Sequence, residues 1–272
     1  MRWNCMFLNK LEFNRGNCSN EAAYPFDLPV IQTLEPMYFH TPITIFVGEN
    51  GSGKSTLLQG MAAEADLPNI GRTDWGLDPF LKSSIQLSSL LKLTWKVKTK
   101  KGFFLRAEDF IGFTIRLKQM KEEAQNELSR IEHEYRDRSS YAKSLAALPH
   151  NRTLHELKQR YEDGLEFRSH GESFLDFFEA NIKPNGLYML DEPETPLSPM
   201  RQLAFMSMII DSINNGSQYI IITHSPLLMA LPHSTIYSFN DHHISQIQYD
   251  EIEHVNLMRQ FLDAPERFLK HL

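Results

Sequence analysis

Cysteine is scarce, Cys5 and Cys18 being the only two among 272 residues. Two thiols in no metal-ligand spacing cannot form a disulfide framework or a zinc site, which suits a reducing compartment and leads to the expectation of a cytoplasmic protein. Long hydrophobic runs are missing as well. Met1-Arg2-Trp3-Asn4 leads into no secretory apolar stretch, and the greasiest later run, Tyr219 to Leu231, is interrupted by Thr223, His224, Ser225 and Pro226. No membrane insertion is expected from such a pattern. Positive charge is not in excess either: a formal charge of -6 and a pI near 6.0 argue against a surface dominated by phosphate contacts, so any nucleic-acid binding must rest on a local stripe. Internal repeats and low-complexity tracts are lacking. What is present is an ordinary globular composition, 42% apolar and 23% charged, able to bury a sizeable core without disulfides or metals. The length fits one core with an inserted lobe.

Along the chain, Cys5 to Phe13 and Pro36 to Phe39 read as strands, and Ile43-Thr44-Ile45-Phe46-Val47 is a short buried run that stops at a glycine-rich loop. Ser55 to Ala65 then has helix-forming composition. Residues 66 to 94 contain the breakers Pro68, Gly71, Gly76 and Pro79 and define no clear element. From Leu117, the apolar positions Met120, Ala124, Leu128, Ile131 and Tyr135 recur at helical spacing, which predicts an amphipathic helix of about five turns. Pro149 and Asn151 break that pattern, and Thr153 to Tyr161 predicts a second, shorter helix, so that residues 108–165 would form a helical lobe inside a single unit spanning 1–272. The last third alternates: strand at Leu187 to Leu190, helix from Pro199 to Asn214 ended by Gly216, strand at Tyr219 to Ile222. That is βαβ logic and a mostly parallel sheet. Ile236 to Phe239 and Ile244 to Tyr249 predict a hairpin turning at Asn240-Asp241-His242-His243, before an amphipathic tail.

Four sites carry chemistry. Gly48-Glu49-Asn50-Gly51-Ser52-Gly53-Lys54-Ser55-Thr56 matches the phosphate-binding pattern Gly-x4-Gly-Lys-Ser, between a strand and a helix as that pattern requires. Its glycines let backbone amides converge on an anion, Lys54 adds charge at the outer phosphates, and the Ser55 hydroxyl suits magnesium. At Leu190-Asp191-Glu192-Pro193 an apolar strand ends in two carboxylates. Taken alone the pair is a solvated loop, but beside a phosphate loop Asp191 becomes a metal holder and Glu192 the group that polarises water. Ser169-His170-Gly171-Glu172-Ser173 opens a predicted helix; taken alone it is a helix cap, but between the other motifs the Ser169 hydroxyl, Gly171 and the free amides of that first turn, Glu172 included, offer a second anion site. Last, His224 follows the strand Tyr219 to Thr223 at the edge where a parallel sheet delivers its loops, and can contact a terminal phosphate.

In this order the motifs resemble the ABC-class ATPases, with Gly48 to Ser55 as Walker A, Ser169 to Ser173 as a variant signature, Leu187 to Glu192 as Walker B, Pro196 to Pro199 as the D-loop and His224 as the switch histidine. Leu190 to Thr195 and Ser169 to Leu175 are similar to the bacterial predicted ATPases related to SMC, RecF and double-strand-break-repair heads. The resemblance implies an α/β P-loop NTPase of ABC ATPase type: a mostly parallel central sheet, an antiparallel N-terminal β part, and the helical lobe between Walker A and the signature. It also implies ATP and Mg2+ as cofactors, Lys54, Glu192 and His224 as catalytic residues, and a homodimer closing on nucleotide. Two departures stand out. His170 replaces the first glycine region of the signature, and Phe103-Phe104-Leu105-Arg106-Ala107-Glu108 holds no Q-loop glutamine. Tyr24 and Phe26 are candidate adenine neighbours, with core packing the favoured reading.

The leading expectation for role is an ATPase of DNA metabolism or defence that closes to act on a partner protein. A transporter ATP-binding subunit, a non-catalytic ATP-dependent switch and, less favoured, a ring-forming motor are the alternatives. For nucleic acid the sequence offers Lys92, Lys96, Lys98, Lys100 and Lys101 around Trp95. If residues 95 to 100 are a strand, three of these lysines share a face; a sheet edge protected by lysine is the preferred explanation.

Overall fold

The computed structural model describes residues 7–17, 23–70, 82–161, 170–240 and 243–270. A seven-stranded sheet forms the centre, in the order β10-β9-β3-β8-β7-β6-β4. Its strands are β3 (Ile43–Gly48), β4 (Asn69–Ile70), β6 (Gly102–Arg106), β7 (Leu187–Asp191), β8 (Gln218–Ile222), β9 (Ser234–Asn240) and β10 (His243–Ile247). All pairings are parallel except the β9–β10 hairpin, whose turn lies outside the described residues. Strands buried on both faces read as continuous apolar runs, as β7 and β8 do. Tyr188, Leu190, Tyr219 and Ile221 face one core, while Leu187, Met189, Ile220 and Ile222 face the other.

The second core is closed by the helix α2 (Lys54–Glu64), through Leu57, Leu58 and Met61, and by an antiparallel sheet of β1 (Leu8–Phe13), β2 (Met37–Tyr38) and β5 (Leu91–Trp95) in the order β2-β1-β5. One buried side chain joins the layers. Gln218 Oε1 accepts from the amides of Phe7 and Leu8, both at 2.9 Å, and its Nε2 donates to the Leu8 carbonyl at 3.0 Å. The carboxamide thus satisfies backbone groups that would otherwise be buried unpaired. The first core is aromatic: Phe174, Phe177 and Phe178 of α6 (His170–Asn181) stack edgewise among Phe103, Phe110 and Phe205, the last from α7 (Pro199–Asn214).

The α/β class and the parallel order match expectation, and the structure revises several elements. Residues 66–94 contain α3 (Lys82–Ser88) besides β4 and β5. The first lobe helix, α4 (Ala107–Glu134), starts ten residues before Leu117. Its opening turns bury Phe110 against the aromatic core and rest Phe113 and Leu117 on it, so apolar residues crowd there instead of forming a stripe. Pro149 does not break the second: α5 runs Ser140–Tyr161 with Pro149 inside and packs along α4. Tertiary packing has overridden a local cost of about 3 kcal/mol. Residues 96–101 are not a strand but the connection from β5 to β6. Lys96, Lys98 and Lys100 therefore share no strand face; Lys98 Nζ lies over the Trp95 ring and Lys100 pairs loosely with Asp66. Both readings of that stretch lose their premise, although Lys92 does sit on the edge strand β5. The small C-terminal helices are α8 (Pro226–Met229), α9 (Glu253–Asp263) and α10 (Pro265–Leu269), with α1 (Pro29–Gln32) near the start.

Candidate functional site

Parallel strands place their following loops at one sheet edge, and the candidate residues gather there. Gly48 ends β3 at φ 143, where a Cβ would lie 2.4 Å from the Phe239 carbonyl oxygen. Gly53 caps α2 at φ 90, with Val30 Cγ1 2.6 Å from its missing Cβ. Both positions demand glycine on steric and conformational grounds. Between them the chain folds around its own lysine: Lys54 Nζ donates to the carbonyls of Gly48 at 2.8 Å and Glu49 at 2.6 Å, and to Ser52 Oγ at 3.3 Å. Burial lowers the Lys54 pKa, and the carboxylates of Glu192, Asp191 and Glu49 pull it back. Asn50 and Gly51 are exposed at the tip of the loop. Thr56 Oγ1 is 2.9 Å from the Tyr24 hydroxyl.

Opposite the loop, Asp191 at the end of β7 is 4% exposed. Ser55 Oγ donates to its Oδ1 at 3.1 Å, while Oδ2 is buried with no hydrogen bond and lies 3.5 Å from Arg106 Nε. Burial pushes the Asp191 pKa up to about 6, against the opposing pull of Arg106 and Ser55. Glu192 adopts φ 53, its amide donating to the Ile222 carbonyl at 3.0 Å. Its carboxylate remains partly exposed, with Oε1 3.8 Å from His224 Nε2. Burial, then the Lys54 charge, lowers the His224 pKa, so this imidazole is neutral at pH 7. The His224 amide donates to Glu194 Oε1 at 2.6 Å, which fixes the loop after β8.

Lys54, Ser55, Asp191, Glu192 and His224 thus lie close together at one edge of the sheet. Gly171 and Glu172 are held elsewhere, against residues 196–201. A Cβ on Gly171 would meet the Pro196 carbonyl oxygen at 2.7 Å, and Glu172 Oε1 pairs with Arg201 Nη2 at 2.9 Å. Ser169 lies outside the described residues. Of the adenine candidates, Phe26 packs on the core as favoured, but Tyr24 is 54% exposed. The sequence alone does not single out Arg106, within the stretch 103–108 that holds no glutamine. Its signal is an arginine closing an apolar strand, and its meaning appears only when β6 pairs with β7 and sets Arg106 beside Asp191.

A buried acceptor lacking one hydrogen bond, beside a serine hydroxyl, suits a hard cation that takes its other ligands from water and phosphate. Among the described residues no cluster of three or more His, Cys, Asp or Glu side chains could hold a metal by itself. Strand, glycine loop and helix, with Asp191 at the end of β7 hydrogen-bonded to Ser55 in the first turn of α2, define a P-loop NTPase architecture. No protein-family model and no curated protein matches the sequence. Among solved structures it is similar to the Smc head domain from Pyrococcus furiosus, with an extended coiled coil and bound to the C-terminal domain of ScpA, at 13% identity, TM-score 0.48, over 94% of this chain and 99% of that one. The SMC head domain from Thermotoga maritima is matched at 13% identity, TM-score 0.42, over 89% and 98%. For cbiO1 from Clostridium perfringens, part of the ABC transporter complex cbiONQ, the values are 14%, 0.44, 88% and 91%. Likenesses this distant say nothing of substrate or partner. No helix among the described residues is long and apolar enough to cross a membrane.

Proposed function

We propose that this protein is an ABC-type ATPase that binds ATP with Mg2+ in the Gly48–Thr56 loop, hydrolyses it to ADP and phosphate, and closes as a homodimer to act on a partner protein. The observation that carries this reading is the Ser55–Asp191 hydrogen bond of 3.1 Å beside the unsatisfied Asp191 Oδ2. Loop amides and Lys54 would receive the phosphates, the lysine exchanging the Gly48 and Glu49 carbonyls for phosphate oxygens. Ser55 and Asp191 would hold Mg2+, which neutralises charge on the outer phosphates. Glu192 accepts the proton of the attacking water, its carboxylate being reachable from solvent. His224, neutral at pH 7, acts as a hydrogen-bonding group at the terminal phosphate and not as a fixed charge. Tyr24, exposed beside Thr56, would be the aromatic side chain available to the base. The segment 169–172 would complete the site of a second copy, within one chain-length unit whose helical lobe is α4–α5. In role, we place the protein in DNA metabolism or defence; co-purification with a permease would instead favour a transporter subunit.

Lys54→Ala removes the cation built into the loop and should weaken ATP binding about 100-fold or more. Equilibrium binding of a fluorescent ATP analogue tests this. Unchanged affinity in a folded variant would refute the site.

A further inference from the structure

Arg106 is shared by two unlike carboxylates. Its Nε lies 3.5 Å from Asp191 Oδ2, and its Nη2 lies 3.0 Å from Glu108 Oε2. Asp191 is buried, whereas the Glu108 side chain is 70% exposed. The shorter contact is a charge-assisted hydrogen bond and the longer one is an ion pair too stretched for a bond. That leaves Asp191 Oδ2 buried and open, the one oxygen of the pair that Ser55 does not occupy. Lys54, the other nearby cation, is committed to the loop carbonyls. Pairing of Arg106 with Asp191 across β6 and β7 fixes the backbone of both residues, so the side chain alone is free to choose between partners.

A divalent cation drawn to Asp191 and Ser55 would bring two positive charges next to this guanidinium, in a partly buried place where like charges repel strongly. Arg106 has a retreat, because Glu108 already grips its far end and keeps a counter-ion for it in water. Resting on the nucleotide reading above, we propose that Arg106 is the resident counter-cation of the unloaded site and competes with the incoming divalent cation for Asp191, while Glu108 draws it off. The two residues together set the Mg2+ concentration at which the site loads. Arg106 is in this sense a positioning residue: it acts through Asp191 and not on the substrate.

The test is binding of a fluorescent ATP analogue titrated with Mg2+ at about pH 8, a readout independent of turnover. Arg106→Gln removes the competitor and should lower the half-saturating Mg2+ concentration about three- to tenfold, whereas Glu108→Gln leaves Arg106 with Asp191 alone and should raise it about two- to threefold. A merely structural arginine would not shift the two variants in opposite directions. Should Arg106→Gln fail to fold, Glu108→Gln alters an exposed side chain and carries the prediction alone. The proposal is overturned by a folded Arg106→Gln that needs as much Mg2+ as wild type or more, or by Glu108→Gln that needs no more than wild type. Wild type that binds no analogue at any Mg2+ concentration would refute the nucleotide reading and this inference together. Binding by wild type with both variants unmoved would refute this inference only.

Discussion

Asp191 keeps a buried carboxyl with Ser55 on one oxygen and no hydrogen bond on the other, and burial outweighs Arg106 and Ser55 in pushing its pKa up to about 6 from 3.8. A group whose folded pKa is raised binds its proton more tightly in the native state than in the unfolded one. Its contribution to stability is therefore full below the unfolded value and declines as pH rises through the folded one, leaving a deficit of about 3 kcal/mol above that. Asp191→Asn cannot ionise. Without nucleotide it should melt at higher temperature than wild type at about pH 8 and lose most of that advantage at about pH 4. Thermal denaturation across this range checks the expectation, and a variant that melts no higher than wild type at the alkaline end contradicts it. On the proposed reading, a divalent cation at Asp191 would offset this deficit. Residue chemistry of this kind was legible in part: the motif named Ser55 and Asp191, but no spacing in the sequence shows that Arg106 stands beside them.

At the scale of elements, legibility followed how local each signal is. Helix α7 was readable to both ends because Pro199 occupies the first turn and Gly216 follows Asn214 and Asn215, signals carried by neighbouring residues. The β9–β10 hairpin was readable for the same reason, its strands pairing in register from Asn240 and His243 onward. Strand β6 and the start of α4 were not, since both are specified by burial among Phe103, Phe110 and Phe177, which meet only in the fold. Pro149 misled because its effect is local whereas the support for α5 comes from α4. Removing it should help: Pro149→Ala restores a backbone donor inside a 22-residue helix and should stabilise the protein by about 1 to 3 kcal/mol with ATP binding unchanged. Chemical denaturation measures this. A loss of stability would show that the proline fits a kink on which the α4–α5 contact depends.

At the scale of the molecule, one edge of the seven-stranded sheet gathers the phosphate loop, the ends of β6 and β7 and the loop of His224, while Gly171 and Glu172 sit on Pro196 and Arg201. A site completed by a second copy follows from the proposal, and mixing tests it. Lys54→Ala and Ser169→Arg should each fail to dimerise with ATP, yet a mixture should regain one intact interface, seen by light scattering. No recovery on mixing folded variants would mean that residues 169–172 do not serve a neighbouring chain. The central claim, that Glu192 activates water against ATP held at Lys54, Ser55 and Asp191, has a more direct test in the fate of bound ATP during a single turnover. Wild type should convert it to ADP and phosphate, while Glu192→Gln, of equal size but unable to accept the proton, should retain ATP with comparable affinity and slow the conversion about 100-fold or more. Conversion at the wild-type rate by Glu192→Gln would contradict the account.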